Sequence, residues 1–167
     1  MEFQYRAAQP EDAPAIQRVA GESWHFTYKD IFTFEYITNF ITRAYAVESL
    51  ERQIQNPKHF FEVATTAKDE AVGFAHCGNR GTDAELFRLY LLPEYLRRGI
   101  GGTLIRRIEE RLRAQGYSKY FCYVHERNEI GKAFYLKHGF VHVLERDNKD
   151  EKDWYMEKIL SSNHGER

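Results

Sequence analysis

The stretch Pro93 to Gly102, reading P-E-Y-L-R-R-G-I-G-G, is where residue type and spacing most clearly suggest chemistry. Gly99, Gly101 and Gly102 lack a Cβ, so the main chain can adopt otherwise costly dihedrals and bring a row of N–H groups against an anion. An apolar run, Leu86 to Leu92, precedes them, and an amphipathic segment, Thr103 to Gln115, follows. A strand-to-helix turn of this kind adds unpaired helical N–H groups and the positive end of a dipole. The expected ligand is the pyrophosphate of a nucleotide-like cofactor, cradled by the backbone from Gly99 through Ile100, Gly101 and Gly102 to Thr103. Arg97 and Arg98 either fork onto phosphates or stand as exposed charges beside the turn.

The elements needed to hold this turn can be read on either side of it. Phe3 to Tyr5 alternates as a short strand, and Gln9 to Asp12 opens a helix carrying Ile16, Val19, Ala20 and Trp24 at helical spacing. Thr33 caps a second helix with Phe34, Ile37, Phe40 and Ile41 on one face. Val47, Leu50 and Ile54 mark a third, ending before Pro57. The period then changes. Phe60 to Thr66 and Ala71 to Cys77 read as a β-hairpin, Gly78 to Gly81 as its break, and Ala84 to Leu92 as the strand entering the glycine turn. The next helix sets Leu104, Ile108 and Leu112 on one face and ends at Gly116. Tyr120 to His125 is a strand, Asn128 to His138 a helix, and Phe140 to Leu144 with Asp153 to Ile159 a last pair of strands. Helices interleaved with strands and hairpins predict a single α/β domain over residues 1–160 with a mixed sheet, and a loose tail over 161–167.

Composition narrows the partners. The chain has 167 residues with 24 basic and 25 acidic side chains, so no basic excess favours nucleic acid or an anionic membrane surface. No apolar run approaches the roughly 20 residues that span a bilayer, and the start M-E-F-Q-Y-R has no secretion-signal core. Cys77 and Cys122 stand far apart, which predicts neither a disulfide framework nor a zinc site and fits a reducing cytoplasm. The seven histidines show no metal-ligand spacing. Aromatic content is high, at 15%, and is crowded between Trp24 and Tyr45.

The stretch R-L-Y-L-L-P-E-Y-L-R-R-G-I-G-G-T-L-I resembles the acyl-CoA-binding motif of the GNAT N-acetyltransferases, Gln/Arg-x-x-Gly-x-Gly/Ala. Gly99 and Gly101 match it, whereas Leu96 stands where the family carries Gln or Arg. The segment N-E-I-G-K-A-F-Y-L-K-H-G-F, Asn128 to Phe140, is similar to the family's later motif. The early region from Glu22 to Ile54 resembles that of the PaiA-type polyamine N-acetyltransferases. The resemblance implies a GNAT-like three-layer fold, acetyl-CoA as co-substrate, and a small primary amine as acceptor, with spermidine or spermine leading. Other open readings are an amino-acid, aminoglycoside or protein N-terminal acceptor, and a non-catalytic acyl-CoA-binding regulatory module.

Acetyl transfer requires a neutral nucleophile, a site for the oxyanion and a proton for the thiolate. An alkyl amine with a pKa of about 10.4 is neutral at pH 7 in only about one molecule in 2500, so a base is expected. Glu85 aligns with a strand position that supplies the base in some family members; its other reading is a solvated acid on a strand edge. Tyr135, seven residues after Asn128 on one helix face, is implied as the general acid or else packs in the core. Asn128 contacts pantetheine or caps its helix. The oxyanion is expected at a backbone N–H near Leu91. Cys122 as an acyl-carrying nucleophile is disfavoured, since no His is placed to activate it. Trp24, Phe26, Tyr28 and Phe34 either wall a cationic substrate, with Glu22, Asp30 or Glu35 on its distal ammonium, or form the core of two helices or the surface of a homodimer.

Overall fold

A computed structural model describes residues 1–160; the expected tail at 161–167 lies outside the described residues. Seven strands form one sheet in the order β1-β2-β3-β4-β5-β7-β6. These are β1 (Gln4–Ala7), β2 (His59–Thr65), β3 (Ala71–Arg80), β4 (Asp83–Leu91), β5 (Lys119–His125), β6 (Val141–His142) and β7 (Asp153–Ile159). The helices are α1 (Ala13–Tyr28), α2 (Phe34–Ala44), α3 (Val47–Gln55), α4 (Ile100–Ala114) and α5 (Glu129–Lys137). The expected α/β class with a mixed sheet is what the chain adopts.

Local chemistry accounts for the element ends. Thr33 caps α2 by accepting the Tyr36 N–H at 3.1 Å, and Asp12 accepts the Gln9 N–H at 2.7 Å while pairing with Arg6 at 2.8 Å. Three boundaries differ from expectation. β3 runs on through Gly78, Asn79 and Arg80 and breaks only at Gly81, whose φ of 78° suits glycine. α4 begins at Ile100, within the glycine turn itself. The strand expected over Phe140 to Leu144 shrinks to Val141–His142, because Asp147 takes the Tyr155 N–H at 2.8 Å, a donor that a longer ladder would have used.

Two buried carboxylates fix α4 against the sheet. Glu62 on β2, 2% exposed, accepts from Arg107 at 2.6 Å and Arg111 at 3.4 Å. Glu109 accepts from the Tyr120 hydroxyl at 2.7 Å and pairs with Lys158 at 2.8 Å. Removing one partner costs about 3–5 kcal/mol for a fully buried pair and less where, as with Arg107 and Arg111, the partner is over a third exposed; together these contacts set the direction in which the start of α4 points.

The feature that makes room for a site is a divergence. β4 and β5 run parallel but pair only at Ala84↔Tyr120 and Glu85↔Phe121. Beyond that point they separate, and a wedge opens between Leu89 to Leu91 on one strand and Tyr123 to Val124 on the other.

Candidate active site

The glycine turn forms as expected. Gly99 sits at φ 81° as the N-cap of α4, and Arg97 beside it is also left-handed at φ 64°. The first N–H beyond the turn with a main-chain acceptor is that of Thr103, which donates to Gly99 O at 3.2 Å. Among the described residues the N–H groups of Ile100, Gly101 and Gly102 therefore have no acceptor of their own and remain available to an anion. The two later glycines are required by space: a Cβ on Gly101 would sit 2.8 Å from Phe134 Cε1, and one on Gly102 2.9 Å from His138 Cε1. A cleft of about 760 Å³ extends from the turn, lined by Arg97, Arg106, Lys137 and His138 and floored by Leu91, Leu96 and Phe134. Arg98 turns away over the Tyr95 ring at 5.1 Å. Cationic rim, free N–H groups and apolar floor fit a phosphorylated ligand with a slender chain. Leu96 contributes apolar floor where a Gln or Arg would offer a polar side chain.

The strand register gives the wedge a donor. Leu92 N–H bonds to Val72 O at 2.8 Å, which makes Val72 and Leu92 a hydrogen-bonded pair of the antiparallel β3–β4 ladder. The adjacent Gly73↔Leu91 pair is then non-hydrogen-bonded, and Leu91 directs its N–H away from β3 and into the wedge. The Leu89 N–H points the same way by the same alternation.

A cavity of about 120 Å³ fills the wedge, lined by Tyr28, Leu91, Val124, Asn128 and Tyr135 among others. Tyr135 is buried, and burial pushes its phenol well above the ordinary value, reinforced by Cys122, Tyr90 and Tyr28. Among the described residues its hydroxyl has no hydrogen-bond partner. Of the two expectations for Asn128, contact with pantetheine or a helix cap, the structure shows the cap, and it occupies both ends of the amide. Its Oδ1 accepts the Gly131 N–H at 2.9 Å as the cap of α5, and its Nδ2 donates to the Tyr28 hydroxyl at 3.2 Å.

Glu85 faces a second chamber of about 470 Å³ on the α1–α3 side of the sheet. It is 8% exposed, and burial raises its pKa, partly countered by Arg80. Arg80 Nε lies 3.2 Å from Oε1, close enough for charge attraction, but its N–H is not aimed at that oxygen, which is left without a hydrogen bond. The reading of Glu85 as a freely solvated edge acid does not hold. Tyr28, Phe87, Tyr90 and Tyr123 line both the wedge cavity and this chamber, so the two adjoin.

The aromatic region divides. Trp24, Tyr28, Phe32, Tyr36, Phe40 and Tyr45 line the chamber, with Trp24 and Phe40 centroids 4.4 Å apart. Phe26 instead borders the cleft, and Phe34 is exposed, stacking on His25 at 4.6 Å. None of Glu22, Asp30 and Glu35 lines the chamber; Glu22 pairs with Arg18 at 3.7 Å. The acids that do line it, besides Glu85, are Glu151 and Asp153. Sequence reading missed them because they lie in and beside the last loop, more than a hundred positions from the aromatic helices. Cys122 is fully buried with its thiol pushed well up by burial, which suits packing rather than nucleophilic attack.

A splayed parallel pair, a glycine turn at a helix start and a buried tyrosine come together at one junction. Residues 23–140 match the Acetyltransferase (GNAT) family, and the chain belongs to it. Over 165 residues it is 34% identical to the spermidine N(1)-acetyltransferase of Thermoplasma acidophilum, covering 97% of this chain and 100% of that protein. An uncharacterized N-acetyltransferase, YuaI of Bacillus subtilis, is 33% identical over 128 residues, 74% of this chain and 72% of its own. The fold matches the PaiA N-acetyltransferase of T. acidophilum, crystallised with coenzyme A, with a TM-score of 0.88 and 36% identity over 95% of this chain and 99% of that one. The chain is thus an N-acetyltransferase, and acetyl-CoA is its co-substrate. Among the described residues no helix is long and apolar enough to cross a membrane.

Proposed function

We propose that this N-acetyltransferase acetylates a primary amine of a polyamine of the spermidine or spermine type. The observation that carries the proposal is the junction of the two cavities: an aromatic chamber bearing three carboxylates shares four aromatic walls with the cavity that holds Tyr135 and the Leu91 N–H. Aromatic faces and carboxylates together favour alkylammonium groups. The relative named for spermidine supports the same substrate class.

The turn from Gly99 to Thr103, with Ile100, Gly101 and Gly102, receives the pyrophosphate on its free N–H groups, and Arg97 adds charge at the rim. Arg98 is the weaker contributor, since it lies over Tyr95. Asn128 acts through the position of Tyr28 and the start of α5. The Leu91 N–H meets the negative charge that develops on the acetyl oxygen as the amine adds. Glu85, roughly 17–20 Å along β4 from Leu91, takes up the proton of the incoming amine through waters in the chamber, offsetting part of the cost of about 4.6 kcal/mol for neutralising an alkylammonium at pH 7. Its raised pKa makes it a stronger base than an exposed carboxylate. Tyr135 keeps its proton well above neutral pH and delivers it to the departing thiolate.

The test is release of free CoA from acetyl-CoA over a panel of spermidine, spermine, short monoamines, free amino acids, an aminoglycoside and an N-terminal peptide. Fastest release with the polyamines supports the proposal. Preference for another acceptor overturns the substrate, and binding of acetyl-CoA without release by any amine indicates a non-catalytic module.

A further inference from the structure

The acceptor chamber has charges that, among the described residues, no ion pair balances. Asp153 opens β7 as the register partner of His125 on β5, and its carboxylate is half-buried. Burial, then the charge of Glu151, pushes its pKa up to about 6. Among the described residues that carboxylate makes no ion pair and no side-chain hydrogen bond. His125 does not supply a cation, because burial lowers its pKa and favours the neutral ring. On the other side of the chamber Arg88 has the complementary deficit. Its guanidinium donates to Gln53 Oε1 at 3.2 Å and Ala44 O at 2.9 Å and lies 4.2 Å over the Tyr45 ring, with no carboxylate partner among the described residues. Next to it His59 and His76, 2.8 Å apart, are held neutral, chiefly by burial and then by Arg88. A half-buried charge is costly unless it is paired, so each wall of the chamber is shaped for a charge brought by a ligand or against one.

Resting on the polyamine reading above, we propose that Asp153, assisted by Glu151, holds the non-reacting ammonium of the acceptor, and that Arg88 bars cations from the opposite wall. The acceptor is then oriented by charge rather than by shape alone: its second ammonium goes to the β7 side and its reacting amine toward Tyr135. Substrates with two or more amines separated by an alkyl chain gain this contact, and monoamines do not. Asp153 is a specificity-determining residue and takes no part in the bond changes.

The experiment compares steady-state kinetics of wild type and Asp153→Asn with spermidine and with a monoamine of similar chain length, at saturating acetyl-CoA. The expected result is a rise of roughly tenfold in KM for spermidine, the size of one charge-assisted hydrogen bond in a half-wet site, with kcat within about twofold and the monoamine constants unmoved. Equal shifts for both amines, or none for spermidine, overturn the proposal. Glu151→Gln, at an exposed position, provides a second variant: it should raise the spermidine KM by a smaller factor and leave the monoamine alone. If wild type releases CoA with no amine, the polyamine reading fails and this inference fails with it. Release with spermidine but no selective loss in either variant removes only the assignment of Asp153 and Glu151.

Discussion

Asn128 Nδ2 donates to the hydroxyl of Tyr28 at 3.2 Å, joining the end of α1 to the start of α5 across a hundred positions of sequence. The same amide caps α5 through Gly131, so one side chain holds two walls of the wedge cavity in place. Asn128→Ala should cost about 1 kcal/mol of stability for the cap, a fall of roughly 2–4 °C in Tm for a chain of this length. Asn128→Ser, which keeps a cap acceptor but cannot reach Tyr28, should recover most of that stability and still lose activity. Melting curves beside kcat/KM separate the two roles, and full activity in the Ser variant would show that the Tyr28 contact is structural only.

The glycine turn makes a different demand at each glycine. Gly99 has open space around it but a left-handed backbone, so Gly99→Ala should cost roughly 1–2 kcal/mol in strain. Gly101 is helical, but a Cβ there must displace the Phe134 ring that floors the cleft. Gly101→Ala should therefore weaken CoA binding with only a modest loss of stability, as seen by titration calorimetry set beside thermal unfolding. Unchanged CoA affinity would move the phosphate site elsewhere.

Much of this was legible in the chain. The glycines and the strand and helix around them could be read because turn chemistry and helical period are local. The face chosen by Glu85 could not, because alternation along β4 is reset by a bulge in its pairing with β3, between His76 and Cys77, that inserts Phe87 into the ladder. The direction of the Leu91 N–H likewise appears only once the pairing of Val72 with Leu92 is known. Asp153 escaped notice for the same reason, since the topology alone brings β7 beside β5 and under the aromatic helices. The extent of β6 was misjudged because its end is set by a side chain, Asp147, and not by the apolar pattern.

Glu85 titrates upward because it is buried, and Arg80 holds part of that rise in check. With Glu85 as the proposed base, activity requires the ionised carboxylate, so the acid limb of kcat/KM should follow its raised pKa. Arg80→Ala removes the opposing charge and should move that limb to higher pH. A pH–rate profile of the two proteins reads this directly. An acid limb that stays where it was would argue that another group is the base.

Asp153 should also report on stability. Its folded pKa is raised to about 6, above the about 3.9 of an unfolded chain, so folding favours the neutral acid. Its contribution is fully present below the unfolded value and is lost as pH rises through about 6. Asn cannot ionise and loses nothing. The Tm of Asp153→Asn relative to wild type should therefore increase between pH 4 and pH 7. A difference that does not vary with pH would mean that the carboxylate is better solvated than its surroundings suggest.

The proposed mechanism turns on Tyr135 giving its proton to the departing thiolate from a cavity where, among the described residues, no group hydrogen-bonds its hydroxyl. The direct measurement is Tyr135→Phe, with kcat from CoA release and the CoA dissociation constant from calorimetry. The kcat should fall on the order of 10²–10⁴, with CoA affinity within about twofold of wild type because the proposed pyrophosphate site is the turn at Gly99 to Thr103. An unaltered kcat would contradict it.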